Sequence, residues 1–492
     1  QEKLIAHIRG HERIVWNVRR LIDGAAALGV TVAATEQYPR GLGKTIEPLA
    51  SKLPDALPDK VAFSCGACGQ IFTDWSADYR FYGRLDSEAL FDSLTDQVMG
   101  LLPQTDQPLV VSMDDSILRK GGNRTHGVGW RRDPLGPPFH TNFVRGQRIL
   151  QLSACLPARD GSARSVPIDF QHAVVPKKPR SNAPQAAHEA YREALKASNI
   201  NTRGAERIAH LRERIEAGRP LHLCVDGRFT NRTVLKNLPA NTTLIGRIRK
   251  DAALHHPVDE SDRAATGRRR VYGKSAPTPE ALRQDDSLPW QQIEAFAAGK
   301  RHRFKVKQLG PLKWRKAGGE LDLQVVVIAA LGYRLCKGGK LLYRQPAYLI
   351  CTDANLDLQS VLQEYLWRWD IEVNFRDEKT LLGLGQAQVR TEAATQNVPA
   401  LSVAAYAMLL LASIEAFGID GRPDQLPVPK WQRPRTAARA STMSLIDQLR
   451  FDLWAQTLRP QSFSGFSDTP PSDQSDQKLN PSLATALFTA IS

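Results

Sequence analysis

A stretch of fifteen residues towards the C-terminal end most constrains how this chain can fold. Residues 365–379 read YLWRWDIEVNFRDEK. On a single α-helix, at about 100° per residue, Tyr365, Arg368, Glu372 and Lys379 fall within an arc of about 60°. Apolar residues are spread round the rest of the helix, which predicts burial on most sides. A buried stripe of charges is costly unless it meets a partner, and the natural partners here are a metal ion, a phosphate backbone, or both.

The spacing of these four residues resembles the Tyr-Arg-Glu-Lys signature of the DDE transposases of bacterial insertion sequences. The pattern is Tyr, two residues, Arg, three residues, Glu, six residues and Lys, and all four positions match. The resemblance covers roughly residues 109–418 and implies a ribonuclease-H-like catalytic core. It implies that Arg368 and Lys379 hold DNA phosphates at the cut, and that Tyr365 contacts the backbone or orients Glu372. The alternative is a core helix with a solvated charged face.

Two apolar runs end abruptly in acid. Residues 109–115 read LVVSMDD and residues 221–226 read LHLCVD. Both patterns predict central strands with carboxylates at their carboxyl ends, and parallel neighbouring strands would bring Asp114 and Asp226 together at one sheet edge. Asp114 and Asp115 point to opposite faces of a strand, so only one of them can serve a given site. The resemblance favours Asp114, with Asp115 as the alternative ligand.

The catalytic and metal-binding residues expected from this comparison are Asp114, Asp226 and Glu372. Phosphodiester hydrolysis needs an activated water, in-line attack and neutralisation of the leaving oxygen, which two Mg²⁺ ions can supply. Mg²⁺ prefers hard oxygen ligands and keeps several waters, so that few carboxylates suffice. We therefore expect two Mg²⁺ ions, for which Mn²⁺ can substitute, and no covalent protein intermediate.

Residues 118–139 form a segment rich in Gly and Arg. Lys120 and Arg131 supply cations for phosphates, and Trp130 supplies an aromatic ring for stacking, which is what a DNA-handling loop needs. A flexible solvated loop is the alternative interpretation.

The overall charge indicates the class of partner. The chain of 492 residues has a formal net charge of +15, which favours a polyanion, most simply double-stranded DNA. By resemblance, the protein acts on transposon ends and target DNA as a homodimer when the ends are paired.

The cysteines and the apolar segments bear on the compartment. Six cysteines in this length indicate a reducing compartment, and Cys65 and Cys68 form a lone CxxC that is weak evidence for zinc. The apolar run 400–419 predicts a buried helix rather than a membrane span. With no secretory signal at the start of the sequence, these features predict a cytoplasmic, nucleoid-associated protein without a membrane partner.

The predicted fold class is α/β, a ribonuclease-H-like mixed sheet flanked by helices and interrupted by a mainly β insertion, with helical N-terminal and C-terminal regions. The predicted boundaries are an N-terminal helical region with possible DNA-end binding at 1–105, the catalytic core at 106–248 and 346–390, a basic β-rich insertion domain at 249–345, a helical region at 391–458 and a disordered tail at 459–492.

The predicted function is a DNA transposase that cuts at the terminal inverted repeats of an insertion sequence and joins the ends to target DNA. Two alternatives remain, of which the first belongs to another class of protein. One is a domesticated DNA-binding protein that does not cleave, whose mark would be a lost carboxylate. The other is a structure-specific nuclease of the same fold without strand transfer.

Overall fold

The computed structural model describes residues 81–458, apart from 103, 105, 123–124, 134–135, 137–141, 175, 260–269, 334–339 and 424–438. The predictions for residues 1–80, including Cys65 and Cys68, and for the tail 459–492 lie outside the described residues. The chain divides into two units at Leu85, and every element described below belongs to the unit Asp86–Ser492.

Helices and strands alternate along the described part of the chain. In order, they are α1 (Ser87–Gly100), β1 (Leu109–Arg119), β2 (Gly129–Arg132), β3 (Phe143–Pro157), β4 (Ala163–Ala173), α2 (Gln185–Ala197), α3 (Ile200–Arg214), β5 (Leu221–Val225), α4 (Arg232–Lys236), β6 (Thr242–Arg247), α5 (Pro279–Gln284), β7 (Gln291–Ala297), β8 (Lys300–Leu312), β9 (Leu323–Ile328), β10 (Gly332–Tyr333), β11 (Leu342–Tyr343), β12 (Ala347–Cys351), α6 (Leu358–Trp367), α7 (Asp370–Thr380), α8 (Glu392–Phe417) and α9 (Thr442–Leu458).

Ten of these strands form one mixed sheet, in the order β2-β3-β1-β5-β6-β12-β9-β8-β7, and β4 also pairs with β3, on the edge opposite β1. Strands β1, β5 and β6 are parallel, whereas β3 and β12 run antiparallel to their neighbours. Both faces of the sheet carry buried side chains. Val111 belongs to one hydrophobic cluster and its neighbour Val110, which points to the opposite face, belongs to the other. The prediction of an α/β fold with a mixed sheet flanked by helices is therefore confirmed.

Helix α1 belongs to the sheet unit rather than to the N-terminal region. Asp86 caps it by accepting hydrogen bonds from the backbone N–H groups of Glu88 and Ala89, which stabilises its first turn. Phe91 and Val98 on its apolar face are buried in the core that lies over β4 and α8. The boundary predicted at residue 105 therefore belongs at Leu85.

The predicted insertion at 249–345 is rich in β structure, but its strands do not form a separate domain. Strand β9 pairs antiparallel with β12, and β8 and β7 follow it in the same sheet. All six residues of β9 are buried, so this strand has the burial of a central strand. The segment therefore extends the sheet. Among the described strands of this segment, only the β10–β11 pair lies outside the sheet.

Part of the segment predicted as a loop at 118–139 is also strand. β1 continues to Arg119, and Trp130 and Arg131 lie on β2, which pairs with β3. The pairing with β3 supplies hydrogen-bond partners that local sequence does not reveal. Of the residues predicted to contact DNA, Trp130 and Arg131 are thus presented by a strand at the edge of the sheet, whereas Lys120 follows the end of β1.

Helix α8 covers the apolar run that we predicted to be a buried helix. Its length and hydropathy would allow it to cross a membrane, and 44% of its most apolar window is buried inside the protein. It packs against β4 and α1, and it buries the polar residues Asn397 and Ser413. The helix therefore packs within the core of the sheet unit on part of its surface.

Candidate active site

The carboxyl ends of β1 and β5 bring the first two predicted carboxylates side by side. These strands pair in parallel from Leu109 to Met113, and Met113 lies opposite Val225. Asp114 is the next residue of β1 and Asp226 is the first residue after β5. The two aspartates therefore lie side by side at the carboxyl end of this strand pair, as the sequence predicted. Beyond this point β1 continues to Arg119 without pairing to β5.

The environment of Asp114 favours its protonated form. Burial, followed by the negative charge of Asp226, raises the pKa of Asp114 from 3.8 to about 7, against the opposing effect of Arg368. The side chain of Asp226 accepts a hydrogen bond of 2.9 Å from the backbone N–H of Arg228, which turns the chain after β5. A cation at this place would offset the negative charge of Asp226 on Asp114 and favour the ionised form of Asp114.

The stretch that carries the third carboxylate is two helices rather than one. The N–H groups of Arg368, Trp369 and Glu372 bond to carbonyls three residues earlier instead of four, so that α6 ends at Trp367 and α7 begins at Asp370. This tighter winding rotates α7 relative to α6. The prediction of a single helix with one straight stripe was therefore wrong.

Arg368, at the junction of the two helices, links two of the predicted carboxylates. Its Nη1 donates to Asp114 Oδ2 at 3.1 Å and its Nη2 donates to Glu372 Oε1 at 3.4 Å. Its guanidinium carbon lies 5.7 Å from the centre of the Tyr365 ring. Arg368 thus supplies positive charge between Asp114 and Glu372, which come from parts of the chain far apart in sequence.

The other signature residues occupy different positions. The Nζ of Lys379 donates to Ser116 Oγ at 2.6 Å, so α7 faces the same side of β1 as Asp114 does. Burial lowers the pKa of Lys379. Tyr365 packs against the hydrophobic cluster that contains Val110, and it is not among the residues that line the cleft described next. Its structural role is to support the guanidinium of Arg368.

An open cleft of about 740 Å³ lies over the end of β1, and its lining is predominantly basic. The charged residues that line it are Asp114, Asp115, Glu372, Arg131, Arg132, Arg148, Arg228, Arg376 and Lys379. Six of these nine side chains are cations, so the cleft suits a polyanion. Trp130, which also lines the cleft, is 68% exposed.

Asp115 and Lys120 have partners inside the protein. Asp115 Oδ2 accepts from Arg148 Nε at 2.8 Å, and Asp115 Oδ1 lies 3.2 Å from Arg228 Nε. The ammonium of Lys120 donates to the carbonyls of Gly385 at 2.6 Å and Ala387 at 3.0 Å. The structure therefore joins Asp115 to arginines rather than to the other carboxylates, and it uses Lys120 to tie a loop to the segment after α7.

Sequence reasoning missed Arg148 and the buried residues behind α7. Glu378, on the side of α7 opposite the cleft, accepts from Gln151 Nε2 at 3.1 Å, and Asn374 Nδ2 donates to Ser153 Oγ and the Ser165 carbonyl. The signal that could have found them is the presence of polar residues, Gln151 and Ser153, inside the largely apolar run of β3. They fix α7 against the sheet.

The chemistry of the donor set fits a hard divalent cation. Within the residues that the structure describes, no group of three His, Cys, Asp or Glu side chains is arranged to hold a metal ion. Asp114, Asp226 and Glu372 nevertheless offer only carboxylate oxygens, the ligands that Mg²⁺ prefers. Two of them already attract the guanidinium of Arg368, which shows that this place favours positive charge.

Comparison with known proteins gives no matching family model and no similar curated protein. The case for a function therefore depends on the residues of the cleft and their geometry.

Proposed function

We propose that this protein is a DDE-type DNA transposase with a ribonuclease-H-like core, which cuts at the ends of an insertion sequence and joins them to target DNA. The observation that carries the proposal is the meeting of Asp114, Asp226 and the helix bearing Glu372 at one end of the sheet, beside a basic cleft. The order of elements also supports it: an acidic strand, antiparallel strands, helices, a second acidic strand, and a late helix with Glu372.

In this proposal the three carboxylates would hold the metal ions. Bound Mg²⁺ supplies an activated water and charge neutralisation on the leaving oxygen. Residues of the chain would bind the DNA: Lys379 presents a cation beside β1, and the arginines of the cleft attract the DNA backbone. Most of the affinity for DNA then comes from cations, and the carboxylates contribute to cutting rather than to binding.

The test uses the full chain and a duplex that carries the DNA flanking its gene. With Mg²⁺, the wild type should cut this duplex, whereas Asp114→Ala, Asp226→Ala and Glu372→Ala should each bind it without measurable cutting. Asp251→Ala is the matched control, because Asp251 is an exposed carboxylate paired with Arg249, and this variant should bind and cut like the wild type.

The outcomes separate the candidate functions. Cutting by the Glu372 variant at a rate close to wild type would refute the assignment of the site. Binding without cutting by the wild type would favour a domesticated DNA-binding protein. Cutting without joining to a target would favour a nuclease of the same fold.

A further inference from the structure

Three arginines and one aspartate form a second constellation in the cleft, on the face of β1 opposite Asp114. Ile117 of β1 pairs with Arg148 of β3, and Arg131 of β2 pairs with Val144 of β3. Because side chains alternate along strands, Asp115, Arg148 and Arg131 project from the same face. Asp114 and Ser116 project from the other face, where they meet Arg368 and Lys379.

The way in which Asp115 binds two of these arginines leaves their donors available. Each of its oxygens meets an Nε atom, one from Arg148 and one from Arg228. Paired through Nε, a guanidinium keeps its terminal nitrogen atoms for another acceptor. Arg148 Nη2 and Arg131 Nε are both buried without a hydrogen-bond partner.

The charges of this group are not balanced. One carboxylate faces three guanidinium groups, and burial, followed by the positive charge of Arg148, lowers the pKa of Arg131. Buried donors without acceptors are costly, and a cluster with excess positive charge is stabilised by an anion. A phosphate, with several acceptor oxygens, matches the forked donors of arginine.

We propose that Arg131, Arg148 and Arg228 form a binding site for a backbone phosphate of DNA, and that Asp115 is the positioning residue that aims Arg148 and Arg228 at it. The site deepens the proposed function and rests on it. Since β1 extends beyond its pairing with β5 at Met113, a DNA strand crossing this extension would meet the carboxylates on one face and the arginines on the other. The arginines would thereby hold the strand next to the position of the cut.

The test measures affinity for a fluorescently labelled duplex of generic sequence across a KCl series, without divalent ions and with the full chain. Arg148→Ala and Arg228→Ala should each lower the slope of log affinity against log salt by up to roughly one unit, because each weakens one phosphate contact. The double variant should lose little more than either single variant, since both arginines hold the same phosphate. Arg303→Ala is the matched control, because Arg303 is 76% exposed and pairs with Glu294, and its slope should equal that of the wild type.

Asp115→Asn separates positioning from simple electrostatics. Removal of a negative charge from a basic cleft should by itself strengthen the binding of DNA. If Asp115 aims the arginines, this variant should instead bind more weakly, with a melting temperature that shows it to be folded. Tighter binding by Asp115→Asn would overturn the positioning role.

The remaining outcomes distinguish failure of this site from failure of the proposed function. A wild type that does not bind the duplex in a salt-dependent way overturns the proposed function itself. If the wild type binds the duplex in a salt-dependent way and the slopes of Arg148→Ala and Arg228→Ala are unchanged, the phosphate site alone is overturned. Arg228 is 45% exposed, so its variant keeps the test decisive if Arg148→Ala does not fold. Inorganic phosphate that raises the melting temperature of the wild type but not of Arg148→Ala, with unchanged DNA slopes, would show a site for small anions and overturn the assignment to DNA.

Discussion

At the scale of single residues, neighbouring side chains of the same type have acquired opposite surroundings. Asp114 lies partly buried beside Asp226 and bonds to one arginine from the helix junction, whereas Asp115 pairs with Arg148 of β3 and with Arg228 after β5. The alternation of a strand is sufficient to produce this difference. Two adjacent carboxylates therefore have separate roles, one in the carboxylate site and one among the arginines.

This difference predicts different kinetic effects for two equivalent substitutions. Asp114→Asn should lower Mg²⁺-dependent cutting by at least about 100-fold, since outer-shell partners of a metal site already account for about 10–100-fold. The cutting rate of Asp115→Asn at saturating DNA should remain within roughly tenfold of the wild-type rate, because this substitution affects DNA binding more than the cutting step. Single-turnover cutting rates would check both. The reverse ranking would make Asp115 the ligand.

Lys120 gives a second prediction for a single residue. Because its ammonium bonds to two backbone carbonyls, Lys120→Ala should lower the free energy of unfolding by about 1–2 kcal/mol. The slope of log DNA affinity against log salt should be the same for Lys120→Ala as for the wild type. Urea unfolding and the KCl series measure the two quantities, and Arg228→Ala should show the opposite pattern. A lower slope with unchanged stability would restore Lys120 as a phosphate contact.

At the scale of elements, α7 is bonded to the sheet on one side and lines the cleft on the other. Glu372 and Lys379 face the cleft, while Asn374 and Glu378 bond to strands of the sheet. Asp377 accepts from Thr442 at 2.6 Å, which joins α7 to α9 as well. Rotation of α7 would break these bonds, so the buried polar side of the helix determines where Glu372 lies.

Glu378 makes the stability of this anchor depend on pH. Burial raises the pKa of Glu378 from 4.5 to about 8, although Gln151 and Lys379 oppose the shift. The folded state then holds a proton that the unfolded state loses, so stability should fall as the pH rises from about 4.5 to about 8. Glu378→Gln cannot lose this proton and should be more stable than the wild type by a few kcal/mol at pH 9, with little difference at pH 4. Melting curves across this range test the prediction. Parallel curves for the two proteins would contradict it.

Local patterns predicted the elements that carry the carboxylates, and longer-range pairing determined the rest. Apolar runs ending in acid identified β1 and β5, because strand burial is readable from neighbouring residues. The break at Arg368 was not readable in this way, since it coincides with bonds from Arg368 to Asp114 and to Glu372. The partner carbonyl of Lys120 at Gly385 is likewise distant in sequence, and no local pattern encodes such a contact.

At the scale of the whole molecule, one sheet joins the acidic strands to the segment that we predicted as a separate insertion. β9 contributes Val325 and Val327 to one hydrophobic cluster and Val326 to the other, so it supports both faces of the sheet. β12 is covered on one edge by β6 and on the other by β9. The strand that leads into α6 and α7 is therefore held in place by residues 291–328.

Removal of residues 249–345 should accordingly unfold the protein, even though the ends of β6 and β12 could be joined directly. Arg247 of β6 pairs with Leu349 of β12 in antiparallel register, so a short turn could replace residues 249–345. The deletion would expose the edge of β12 and remove fully buried side chains that each contribute roughly 1.5–3 kcal/mol. We expect no cooperative thermal transition and aggregation on size-exclusion chromatography. The control replaces residues 332–343, which contain the β10–β11 pair outside the sheet, and should melt within a few degrees of the wild type. A deletion variant that stays monomeric and melts cooperatively would show that residues 249–345 are a true insertion domain after all.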